Sequence, residues 1–284
     1  MIKFKDRVKR IFAISPDFKA QAMDYEKSDA NLAILLMCVH FLLLLLSGIH
    51  GTYRWHRYLA TGGEESGSLV VVWLIFLLRP IVVIGMAILF LRLRKQRMAS
   101  VGFTKKNLKK SLLLAFAFSV IAALISIWFY SSSWFFGDVS VIIRHWPTEF
   151  FTELRGLRLF EHIFFLIIAV SLVEELVYRG FLGKRLYGTM RSKGGSIVLT
   201  GFLFAIMHFI SAIPLHLTGL SHVVQRTSGV LSLVVFYVIF HFVHHWLYAK
   251  YNNIAGPILF HTLWNFMATI NRLIYANIIA AYYS

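Results

Sequence analysis

Long apolar runs separated by short charged segments set the pattern of this chain. Seven of them approach the ~20 residues a helix needs to cross a hydrocarbon core. They are approximately Leu32–Ile49, Ser68–Leu91, Ser111–Tyr130, Leu157–Tyr178, Ser196–Leu215, Gly229–Tyr248 and Asn253–Ile274. A spanning segment must satisfy its backbone polar groups internally, so such runs predict helices. The fold class expected is therefore all-α, a polytopic membrane protein of about seven transmembrane helices. In the second run, Arg79-Pro80 predicts a kink or a break, since proline removes a helical hydrogen bond. Asp138–Phe151 is mixed and amphipathic, suits a surface or re-entrant segment, and leaves an eighth helix open. The tail Ala276–Ser284 is too short to span alone. No internal repeat or low-complexity linker divides the sequence, so residues 31–284 read as a single membrane domain.

Residues 1–30 read as a cytoplasmic arm. Phe4, Val8, Ile11 and Phe12 recur at i, i+4, i+7 and i+8 with Lys5, Arg7, Lys9 and Arg10 between them, the pattern of a short amphipathic helix on a membrane surface. A solvated tail is the competing reading. Met1–Asn31 lacks the apolar stretch of a cleavable signal peptide.

Composition agrees with the pattern. Of 284 residues, 58% are hydrophobic and 16% aromatic, and the mean hydropathy is +0.69. The formal charge of +16 would suit nucleic acid in a soluble protein. In a membrane protein it is explained by loops held at an anionic cytoplasmic leaflet, so the bilayer and not nucleic acid is the expected partner. With the N-terminus inside, the inner segments carry seven, eight, five and one Lys+Arg, whereas the outer ones hold only Arg54 and Arg57, Arg144 and Arg155, and Arg226. That asymmetry predicts seven spans with the N-terminus cytoplasmic. The single cysteine, Cys38, excludes an internal disulfide framework.

The candidate chemistry centres on Ser171–Gly180, SLVEELVYRG, where Glu174, Glu175 and Arg179 follow an apolar stretch whose one polar residue from Ile163 to Val173 is Ser171. Ionisable side chains within spans are costly and are functional suspects. Neighbours on a helix diverge by ~100°, so the two glutamates are not expected to share one task. Glu175 and Arg179, at i,i+4, suit a local ion pair near the cytoplasmic end of the span. Glu174 needs a partner on another helix. Two later runs supply partners: GFLFAIMHF, with Phe204 and His208, and GPILFHTLWNF, with His261 and Asn265 at i,i+4. A lone histidine on an apolar face is usually a satisfied core residue. At ~1.5 Å per residue, however, Glu174, His208 and His261 lie roughly 15, 18 and 12 Å from the inner ends of their runs. They meet near the middle of a ~30 Å core. His241, His244 and His245, near the inner end of the sixth run, have metal-compatible spacing but read better as interfacial or helix-packing residues.

These residues resemble the CPBP or Abi family of CAAX-prenyl-protease and bacteriocin-processing intramembrane proteases. Its motifs EExxxR, FxxxH and HxxxN appear in order as Glu174-Glu175…Arg179, Phe204…His208 and His261…Asn265, with YRGFL after the first and NNIAGPILFH before the third. The resemblance covers about residues 157–271. It implies an intramembrane endopeptidase in which Glu174 and His208 activate a water and His261 and Asn265 donate to the oxyanion. Glu175 and Arg179 would shape the turn, and Phe204 would pack beneath His208. The implied substrate is a membrane-associated peptide or protein, prenylated or leader-type. No cofactor is expected to be required. A divalent metal such as zinc, held by Glu174, His208 and His261, is the alternative, although Asn265 is a poor zinc ligand. A catalytically silent scaffold or regulator on the same fold is the competing function; a secondary transporter is weaker, because no paired repeats appear. Short loops without organellar signals point to a bacterial plasma membrane.

Overall fold

The computed structural model describes residues 12–60, 69–131, 157–211 and 227–283, and these contain helices and short connections but no strand. A short helix α1 (Pro16–Met23) precedes α2 (Lys27–Ala60), α3 (Leu69–Leu93), a 3₁₀ turn (Met98–Val101) and α4 (Leu108–Ser131). Five consecutive segments follow without a break and form one helix, α5: Leu157–Phe165, Leu166–Leu172, Val173–Glu175, Leu176–Gly183 and Lys184–Thr189. The chain ends with α6 (Lys193–Ser211), α7 (Thr227–Tyr251) and α8 (Ala255–Tyr283).

Each predicted run is a helix over its described residues, except that the last starts at Ala255 and not at Asn253, and most helices extend beyond the apolar stretch. α2 starts early because Asp29, in its first turn, accepts the Glu26 N–H at 2.9 Å and caps the entry. The tail from Ala276 is not a separate element but continues α8 to Tyr283. α3 runs unbroken through Pro80, so the expected break is absent. One missing bond does not end a helix whose Val83, Ala87, Phe90 and Leu91 stay buried at i, i+4, i+7 and i+8. The segment Asp138–Phe151 and the positions Phe4, Val8 and Ile11 lie outside the described residues.

By length and composition, Lys27–Ser47 and Leu108–Ile125 are able to cross a membrane, with mean hydropathies of 2.4 and 2.0, and Lys193–His208 is a shorter apolar helix. Large apolar side chains face outward along α2, α3 and α4, among them Leu42, Leu46, Ile81, Leu113, Phe116 and Leu124. So much exposed apolar surface marks contact with lipid or protein.

α5 is the centre of the bundle, packed by α2, α3, α6, α7 and α8. Every residue from Val173 to Tyr187 is buried. Leu166–Leu172 and Leu176–Gly183 are π-helical, flanking Val173–Glu175 on both sides. Such widened turns are rare and gather at functional sites. At the far end of α5 the chain approaches α1 closely: a Cβ on Gly188 would lie 1.8 Å from the Ala22 carbonyl oxygen. Part of the N-terminal arm is therefore docked on the body. Phe18 is fully buried and meets the rings of Tyr187, Tyr248 and His245 with centroids 5.4, 5.4 and 5.9 Å away.

A buried lysine ties these parts together. Lys184 Nζ donates to Gln21 Oε1 at 2.6 Å, Asn252 Oδ1 at 2.7 Å and the Ser100 carbonyl at 2.8 Å, joining α1, the 3₁₀ turn and the α7–α8 junction to α5. All three ammonium protons are used. Lys184→Met is expected to cost about 1–3 kcal/mol, because it strands buried acceptors. Thermal melting in detergent checks this; an unchanged midpoint would mean that the junction is held by packing alone.

Candidate active site

The two glutamates lie at the middle of α5, where burial is deepest. Glu175 and Arg179 are fully enclosed, and Glu174 is 4% exposed. Arg179 Nη1 is 3.1 Å from Glu175 Oε1, the i,i+4 pair expected. Its setting differs from the expectation, which put it near headgroups and water. The guanidinium lies over the Phe204 ring, 4.4 Å from the centroid, with no route to solvent. The cause is α5 itself, which continues to Thr189 and is covered on several sides.

Residues from three helices converge on the glutamates. Glu174 Oε2 lies 3.7 Å from His208 Nε2 on α6 and 3.8 Å from His261 Nε2 on α8. The other nitrogens define the tautomers. His208 Nδ1 is 2.9 Å from the Phe204 carbonyl, which only accepts, so Nδ1 carries the proton. His261 Nδ1 is 2.8 Å from Glu175 Oε1, a carboxylate already paired with Arg179, so it donates there. With Nδ1 of each ring committed elsewhere, it is the Nε2 edge of each that faces Glu174. The glutamates are not as separate as their divergence on the helix suggested. A single imidazole spans the gap, with one nitrogen for each carboxylate.

Around this centre the rings are closely packed. Phe204 meets His208 at 4.5 Å and Tyr178 at 5.1 Å, packing beneath the histidine as expected, while Tyr237 stacks on His208 at 4.0 Å. Asn265 is half-buried one turn beyond His261, and its backbone carbonyl accepts the Thr269 hydroxyl at 3.1 Å. His241, His244 and His245 are buried rather than interfacial. His244 Nε2 is 3.8 Å from Glu175 Oε1, and His245 packs on Phe18.

Two donor sets bear on a metal. Glu175, His244 and His261 have ligand atoms within 4.8 Å of one another. That set does not suit a divalent ion, because Glu175 Oε1 already holds the His261 proton and the Arg179 cation. The second set, Glu174 Oε2 with the Nε2 atoms of His208 and His261 at 3.7 and 3.8 Å, has the donor types of a carboxylate–histidine site. It fits either an ion or a water.

The sequence around this geometry decides its kinship. Residues 157–267 match the family described as type II CAAX prenyl endopeptidase Rce1-like. This segment resembles the Rce1-like family. No curated protein and no solved structure matches the chain. The Rce1-like match bears out the CPBP resemblance drawn from the three motifs, and the family it names is one of proteases, that is, hydrolases. Every motif residue, from Glu174 to Asn265, falls inside it.

Two residues facing the site lie outside the Rce1-like segment and were not singled out as site residues. Arg79 on α3 is buried and donates through Nη2 to the Ala169 carbonyl of α5. His40 on α2 is fully buried with its ring against Tyr178, at a centroid distance of 6.1 Å. Both interact electrostatically with Glu174. Arg79 carries a visible signal in the sequence, a charge within an apolar run.

Proposed function

We propose that the chain is an intramembrane endopeptidase in which Glu174 activates a water to hydrolyse a peptide bond of a membrane-associated substrate, prenylated at a CAAX-type terminus or leader-type. The observation that carries this reading is the convergence of His208 Nε2 and His261 Nε2 on Glu174 Oε2, at 3.7 and 3.8 Å. A water between these three groups gives one proton to Glu174 as its oxygen attacks the carbonyl carbon, with His208 holding it in line. The carbonyl oxygen takes up negative charge and is met by hydrogen bonds from the Asn265 carboxamide and from Nε2 of His261 in its doubly protonated form. Glu175, across the ring on Nδ1, orients His261 and stabilises it when both its nitrogens carry protons, as the carboxylate does in hydrolytic triads. Glu174 then returns the proton to the leaving amine as the C–N bond breaks. A divalent cation bound by Glu174, His208 and His261 would supply Lewis acidity to the same water.

The surrounding membrane arrangement is read as seven spans with a cytoplasmic N-terminus in a bacterial plasma membrane. Loop charge asymmetry and the outward apolar faces of α2, α3 and α4 support it. The function is tested with purified, chelator-treated protein in nanodiscs and an internally quenched, prenylated CAAX peptide. Cleavage by protein free of stoichiometric metal is expected. Activity that needs zinc, and zinc retention that disappears in His208→Ala, would transfer activation of the water to an ion. An uncut peptide, with leader-type peptides uncut as well, would favour the silent scaffold.

A further inference from the structure

None of the three motifs lies on α7, yet α7 packs along α6 and against α8, the helices that carry His208 and His261. It turns two rings toward them, one turn apart. Tyr237 lies nearly parallel to His208, with centroids 4.0 Å apart and an interplanar angle of 22°. Phe240 meets His261 edge-on, at 5.4 Å and 81°. Their i,i+3 spacing puts both rings on one face of the helix.

The two histidines are anchored differently. His261 Nδ1 is held from α5 by Glu175 at 2.8 Å. His208 Nδ1 is held at 2.9 Å by the Phe204 carbonyl of its own helix. That bond decides which edge of the His208 ring faces the site, but a single contact at Nδ1 does not set the plane of the ring. The χ2 torsion of histidine is broad and does not set it either. A flat partner does. The Tyr237 ring lies along one face of the imidazole, and the Phe204 ring, at 4.5 Å and 60°, confines a second direction. Nε2, which is 3.7 Å from Glu174 Oε2, is thus aimed from two helices. His208 is also the most open of the three converging groups: its side chain is 20% exposed, against 5% for Glu174 and 3% for His261. A ring at the accessible side of a site has the most room to tilt, whereas such a constellation works only within roughly 10–20° of its productive geometry.

We infer that Tyr237 is a positioning residue for His208, a flat stop on α7 that fixes the imidazole plane and with it the direction of Nε2. The contact aims Nε2 alike at a water or a cation and needs no charge on either ring. Its catalytic consequence rests on the proteolytic reading; the clamping of the ring does not.

Two measurements separate these. On the prenylated CAAX peptide, Tyr237→Leu is expected to lose ~10–10²-fold in kcat with KM little changed, the effect of a misaimed group and not of a lost binding contact. Tyr237→Phe, which keeps the ring face, should retain most of the rate. If Tyr237→Leu folds poorly, Tyr237→Met fills the same space without a flat face and is expected to behave as the leucine variant does. A loss carried by KM, or a Tyr237→Phe protein as slow as Tyr237→Leu, would overturn the assignment. The second measurement needs no substrate: chelator-treated protein is exposed to diethyl pyrocarbonate, and modification of His208 is followed by mass spectrometry. Tyr237→Leu is expected to raise the His208 rate several-fold while Tyr237→Phe leaves it unchanged. Equal His208 labelling in the wild type and Tyr237→Leu would overturn the clamp. If the wild type cleaves nothing, the proteolytic reading falls and the labelling alone decides.

Discussion

Glu174→Gln is expected to abolish peptide cleavage in a protein that still folds. The carboxamide has nearly the same shape and still fits between His208 Nε2 and His261 Nε2, now 3.7 and 3.8 Å from the carboxylate oxygen. It cannot take a proton from water, and loss of a general base costs ~10²–10⁴-fold in rate. The measurement is the initial cleavage rate of the prenylated peptide beside a melting curve in the same detergent. A variant that melts normally and cuts at the wild-type rate would remove Glu174 from the chemistry.

Breaking the other pair should show mainly as lost stability. Were the Glu175–Arg179 pair near headgroups and water, its loss would cost ~1 kcal/mol. The structure encloses both side chains completely, so removing one partner leaves an uncompensated buried charge. Arg179→Met is therefore expected to cost about 3–5 kcal/mol, and Glu175→Gln a similar amount. Replacing both together should recover part of the loss, since neither charge remains to be balanced. Glu175→Gln should also slow cleavage, because His261 Nδ1 donates to that carboxylate at 2.8 Å. Yield and melting temperature of the three variants are the readout. A Glu175→Gln protein with unchanged melting and unchanged rate would contradict the burial as well as the role.

Much of this was legible in the residues. Apolar runs near span length placed every long helix, and three polar motifs on separate runs came together because their depths matched. The Glu175–Arg179 pair followed from i,i+4 spacing alone. Other features depend on packing that a linear pattern does not carry. Burial of that pair comes from neighbours on several helices, and the π-helical turns beside Val173–Glu175 have no distinct periodicity in apolar residues. The bridging of both glutamates by His261 depends on a ring with nitrogens on two edges, which the ~100° rule for backbone positions ignores. Pro80 suggested a break because its local cost is known, whereas the buried face of α3 that keeps the helix whole is a tertiary property. Arg79 illustrates the same limit. Its charge was plain in the sequence, but its partner, the Ala169 carbonyl, lies 90 positions away.

The most direct measurement is the fate of solvent oxygen. The prenylated CAAX peptide is incubated in ¹⁸O-water with the wild-type protein and with Glu174→Gln, and the products are weighed by mass spectrometry. Water-mediated hydrolysis through Glu174 predicts one ¹⁸O atom in the newly formed carboxylate for the wild type and intact peptide for the variant. Cleavage without ¹⁸O, or equal cleavage by both proteins, would contradict it.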